Sequence, residues 1–138
     1  MGGGPDKTIL LSAEGHDPQR VAVTVAYVRD VRDREFRIGE KARSRGLRFC
    51  EMPERGKFDP RVLRAIRKIV LRHDINVIHA HDYKSNLFAF VVGRTLGRRR
   101  PVLVSTARAW VMLGLRGGII PAPRPLSDAP FSAVHRRL

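Results

Sequence analysis

Short apolar runs of strand character alternate with helical stretches from Val21 to Thr106, and that alternation limits the chain to few architectures. Val21–Val28 (VAVTVAYV) is nearly apolar throughout, as expected of a strand covered on both faces. Leu47–Met52, Asn76–Ala80 (NVIHA) and Pro101–Thr106 (PVLVST) repeat the pattern at shorter length. Between them the spacing predicts helices over Glu35–Arg45, from Pro60 to about His73, and over Lys84–Leu96, with an earlier one over Asp6–Glu14. Asp59-Pro60 supplies an N-cap acceptor followed by proline at the first helical position, and Gly46 and Gly97 are placed to end two of the helices. In the Pro60 helix, Val62, Leu63, Ile66, Ile69 and Val70 share one face while arginines and a lysine cover the rest. Strands and helices at this spacing imply an α/β fold, a Rossmann-like parallel sheet flanked by helices.

Such a sheet normally opens with a strand that leads into its first glycine-rich loop. Here the loop begins at Gly2, so the first strand is expected to be missing, leaving a gap at or near the centre. The far end also departs from the pattern. Residues 116–138 (RGGIIPAPRPLSDAPFSAVHRRL) show neither strand nor helix period, with Pro121, Pro123 and Pro125 alternating. The reading is a partial Rossmann-like domain over 1–110, then an irregular, basic, proline-rich tail over 111–138. Two origins of the tail stay open, a linker and a shifted reading frame.

Composition narrows the classes further. The 138 residues carry 43% hydrophobic and 29% charged side chains, enough for one domain with a core. A net charge of +14 favours polyanions, an anionic membrane surface or phosphorylated ligands, although arginine-biased codons produce the same excess. The single cysteine, Cys50, excludes an internal disulfide and a CxxC metal knuckle and reads as a structural thiol. No secretory pattern follows Met1 and no long apolar run occurs, so the expected location is cytoplasmic, with peripheral association at the inner face of the cell membrane. Nothing matches a zinc finger or an aromatic-basic RNA-binding sheet, so nucleic acid is not the expected partner.

Three segments carry groups suited to chemistry. Gly2-Gly3-Gly4-Pro5-Asp6-Lys7-Thr8 stands at a helix start, where flexible backbone and free amides attract anions, but its spacing is not that of a P-loop. His79-Ala80-His81-Asp82-Tyr83-Lys84-Ser85-Asn86 spans a strand end and a helix start, the place where open α/β sheets bind ligands. His79 and His81 lie on one side of an extended chain, and Asp82 or Ser85 is positioned to cap the helix. Two histidines and an aspartate are too few to specify a zinc site, so no metal is expected. Ser105-Thr106-Ala107-Arg108-Ala109-Trp110 follows another strand end and reads most simply as a strand leaving the core.

Taken together, GGGPDKTIL, DINVIHAHDYKSNLFAFVVGRTLG and PVLVSTARAW resemble the amino-terminal, acceptor-side domain of GT-B glycosyltransferases of the family 4 type, over Gly2–Trp110. The resemblance implies one half of a two-domain enzyme that transfers sugar from a nucleotide-sugar, used as substrate with no further cofactor and usually without a catalytic metal. It implies that Gly3 and Gly4 form the donor-phosphate loop, with Lys7 nearby. His79, His81, Asp82, Lys84, Ser85 and Asn86 would line the acceptor side of the cleft. The implied partners are a sugar acceptor and a carboxyl-terminal donor-binding domain, which is missing from this chain. Arg108-Ala109 stands where the family carries a histidine and a glycine, and a guanidinium cannot replace imidazole in proton transfer. No catalytic residue is therefore expected intact, and the fragment is expected to be inactive alone. A non-catalytic binding or scaffold domain, half of a split enzyme, and a basic surface binder of nucleic acid or membrane remain as alternatives.

Overall fold

In the computed structural model, residues 4–34, 36–106 and 129–136 are described. The elements are α1 (Gly4–Glu14), β1 (Val21–Asp30), α2 (Ile38–Ser44), β2 (Arg48–Glu54), α3 (Pro60–Arg72), β3 (Val77–Ala80), α4 (Tyr83–Thr95), β4 (Val102–Ser105) and β5 (Ala129–Arg136), with a 3-10 turn at Gly97–Arg99. The strand order is β2-β1-β5-β3-β4. β1 pairs in parallel with β2, and β3 with β4, as their helical crossovers require. The chain is thus an α/β, Rossmann-like domain.

The sheet is covered on both sides, and β1 shows why. Thr24 to Val28 are all buried, and their alternation divides them between two cores. Val25 and Tyr27 pack with Ile9, Leu10 and Ala13 of α1 and Ile38 and Ala42 of α2. Ala26 and Val28 pack with Val62, Ile66 and Val70 of α3 and Phe88, Ala89 and Val92 of α4. Each fully buried aliphatic side chain contributes about 1.5–3 kcal/mol. The helix boundaries follow local chemistry. Asp59 accepts from the Arg61 amide at 2.9 Å to start α3, with Pro60 at the first position. Gly46 (φ 69°) and Gly97 (φ 54°) take left-handed backbone just beyond α2 and α4, as their placement in the sequence implies.

The sequence reading departs from the structure in two places. Of the expected irregular tail over 111–138, residues 129–136 instead form β5, and 111–128, 137 and 138 lie outside the described residues. β5 also makes the sheet mixed. It runs antiparallel to both neighbours, pairing Val21–Val28 on one side and Val77–Ala80 on the other. The central gap expected from the missing first strand is thereby filled from the other end of the sequence. Strand character was hard to see in Ala-Pro-Phe-Ser-Ala-Val-His-Arg, where Val134 is the only β-branched residue and proline stands second. Elsewhere the differences are boundary shifts: α2 begins at Ile38 rather than Glu35, and β2 continues to Glu54 rather than ending at Met52. No described helix is long and apolar enough to cross a membrane.

Candidate functional site

The carboxyl ends of β1, β2, β3 and β4 bring their polar termini to one edge of the sheet. β3 presents Ile78 and Ala80 to the α3/α4 core, which turns His79 to the other face. There His79 Nε2 shares a hydrogen bond of 2.5 Å with Thr106 Oγ1, just past the end of β4. His81 follows the strand and is buried, its ring centroid 4.1 Å from that of His79.

The next residues turn the chain into α4 through a capping box. Asp82 Oδ1 accepts from the Ser85 amide at 2.6 Å, while Ser85 Oγ accepts from the amides of His81 and Asp82 at 3.2 and 3.1 Å. The Ser85 hydroxyl and the Asn86 side-chain amide both donate to the Asp82 carbonyl, at 3.0 and 2.6 Å. Lys84, in the first turn, is buried and paired with Glu54 at the tip of β2, also buried. Its ammonium lies 5.8 Å from the centre of the Phe88 ring.

Of the six residues expected on the acceptor side, all sit at this β3–α4 junction. As arranged, Ser85 and Asn86 hold the turn and Lys84 ties α4 to β2. His79 is half-buried, and the exposed Tyr83 and Phe58 stand at the same edge. Gly4 opens α1 and Lys7 is exposed on it. Because a short connection joins the end of α1 to the start of β1, the start of α1 faces this same edge from the opposite layer. Gly3, Arg108 and Trp110 lie outside the described residues. Glu54 and Asp30 were not singled out from the sequence. The available signal was an acidic residue at the carboxyl end of a strand, where a first-turn lysine of a neighbouring helix can meet it. Among the described residues no three His, Cys, Asp or Glu side chains group to hold a metal ion.

Asp30 and Asp82 at this edge are shifted in opposite directions. Hydrogen bonds from the Arg32 side chain, at 2.9 and 2.6 Å, and from its amide hold Asp30 down to about 2. Burial pushes Asp82 above its usual range, although Ser85, the Lys84 amide and the Lys84 charge pull it down. A depressed acid stabilises the fold above its unfolded pKa and loses that contribution as the pH falls towards 2. A raised acid does the reverse, since the folded state binds more protons, and stability falls as the pH rises from near 4 through the folded value. Asp82→Asn is therefore expected to remove a decline in stability on that rising limb, and Asp30→Asn to remove one on the acid side. Urea midpoints measured from pH 2.5 to 7 check both; unchanged profiles would refute the assignment.

Residues 2–137 match the family model described as Glycosyltransferase Family 4. The chain belongs to glycosyltransferase family 4. No curated protein and no solved structure matches it. Membership of the family agrees with the Rossmann-like fold.

Proposed function

We propose that this family 4 domain is the acceptor side of a sugar transferase that uses a nucleotide-sugar donor. The observation that supports the reading most is the family match over 2–137, combined with the polar edge formed by His79, His81 and the start of α4. Half-buried His79, hydrogen-bonded through Nε2 to Thr106, places its imidazole at the edge that an acceptor hydroxyl would approach. The start of α1 at Gly4, with Lys7 on it, suits the donor diphosphate, because helix amides and a cation both favour negative charge. Gly3 joins them on the resemblance alone.

The described groups form one open wall. Sugar transfer needs both substrates held in register and the developing charge on the leaving diphosphate stabilised, and effective positioning is worth about 7–11 kcal/mol of barrier. We therefore expect no turnover by the chain alone. The test is release of nucleoside diphosphate from UDP- and GDP-sugars, measured with the chain by itself and with a family 4 donor-binding domain added in trans. Turnover only in the mixture, lost in His79→Ala, is the expected result. Turnover by the chain alone would overturn the division of labour, and a His79→Ala mixture as active as the parent would remove that residue from the site.

A further inference from the structure

Helix α4 is apolar on both of its long faces, which a helix with one side in solvent normally is not. Its inward face, Phe88, Ala89, Val92 and Leu96 at its cap, is buried against the sheet and α3. At 100° per residue, Tyr83, Leu87 and Phe90 fall on a narrow stripe on the opposite side, with Val91 at its margin and Arg94 continuing it. These four apolar side chains are 67%, 41%, 51% and 37% exposed. The neighbouring helix α3 has the ordinary design, with Arg61, Arg64, Arg67 and Lys68 facing out. The outer stripe of α4 is therefore not a feature that its neighbouring helix shares.

Charge identifies the occupant. Arg94, Arg98, Arg99 and Arg100 are all exposed at the end of α4 and in the turn that follows. No Asp or Glu occurs between Tyr83 and Thr106, and the one lysine there, Lys84, is paired with buried Glu54. A tyrosine and a phenylalanine on an apolar stripe roughly 12 Å long (eight residues at 1.5 Å each), ending in four arginines, match the two halves of a lipid interface. Acyl chains take the stripe and anionic headgroups take the guanidinium groups. A nucleic-acid duplex would use the arginines and gain nothing from Leu87 and Phe90.

We infer that the outer face of α4, with Arg94 and Arg98–Arg100, docks this domain on an anionic bilayer surface. The stripe begins at Tyr83, beside His81 and Asp82, so docking holds the candidate site next to the membrane. This inference stands whether or not the chain transfers sugar.

The test is co-sedimentation of the full chain with vesicles of phosphatidylcholine alone or with 30% phosphatidylglycerol, at 50 and 300 mM salt. Binding to the anionic vesicles is expected, weakening at high salt and falling at least tenfold in Leu87→Asp/Phe90→Asp and in Arg98→Gln/Arg99→Gln/Arg100→Gln. All five substituted side chains are exposed, so circular dichroism is expected to show both variants folded. Absence of binding by the folded parent would overturn the inference. So would undiminished binding by the Leu87/Phe90 variant, which would assign the affinity to bulk charge. A dimer in solution that the same variant dissociates would assign the face to a second copy instead.

Discussion

Replacing Ala133 with proline is expected to abolish the cooperative unfolding transition of the domain. Ala133 lies in the middle of β5, opposite Thr24 of β1 and Ile78 of β3. Proline removes its amide from the ladder and crowds the neighbouring strand, which is why it is found in sheets almost only at edges, strand starts and bulges. An orphaned partner in the ladder alone costs about 1–3 kcal/mol. The larger consequence comes from strand order. β1 and β3 do not pair, so β5 is what joins the β2-β1 pair to the β3-β4 pair. A domain with total stability of about 5–15 kcal/mol has little margin for losing its central strand. Ser105→Pro is the control. On edge strand β4 the amides of Val102 and Thr106 point to β3, so the amide of Ser105 points away from it. Thermal melts by circular dichroism should show a cooperative transition for Ser105→Pro and none for Ala133→Pro. A melt of Ala133→Pro within a few degrees of the parent would refute the central role of β5.

Lys84→Met should be nearly as damaging, for an electrostatic reason. Glu54 and Lys84 are both buried, and Glu54 Oε1 has no hydrogen-bond partner among the described residues. Methionine matches the side chain as far as its ε carbon and removes the ammonium with its donors, leaving the carboxylate stranded. Breaking one side of such a pair typically costs about 3–5 kcal/mol, whereas replacing both partners by apolar groups is often neutral. The Glu54→Leu/Lys84→Met double variant is accordingly expected to recover most of the loss. Denaturant titration of the parent, both single variants and the double variant measures the coupling. A Lys84→Met loss below about 1 kcal/mol would mean that water reaches Glu54 and that the pair is not buried in solution.

The parts of the fold that were legible in the sequence are those set by local chemistry. The strand run at Val21–Val28, the Asp59-Pro60 start and the turns at Gly46 and Gly97 needed no knowledge of distant residues. β5 was not legible, because a strand with proline second and Val134 as its one β-branched residue exists only through the two neighbours that hold it. The same distinction applies at the site. The segment from His79 to Asn86 was found from its position after a strand. What its side chains do there depends on partners far away in sequence, Glu54 for Lys84 and Thr106 for His79. The outer stripe of α4 was hidden for another reason: apolar residues lie all around this helix, so its sequence alone does not say which face is buried.

The placement of β5 also orders events during synthesis. By the time residue 106 has been made, both parallel pairs can form, yet the inward edges of β1 and β3 still expose unpaired backbone. Open edges of this kind recruit other chains. They stay open until residues 129–136 arrive, a contact spanning more than a hundred positions for Val21 and Arg136. Closing such a long loop is slow compared with forming helices. The nascent domain therefore has a window in which it is vulnerable to aggregation, and that window closes only with the insertion of a strand between two preformed halves.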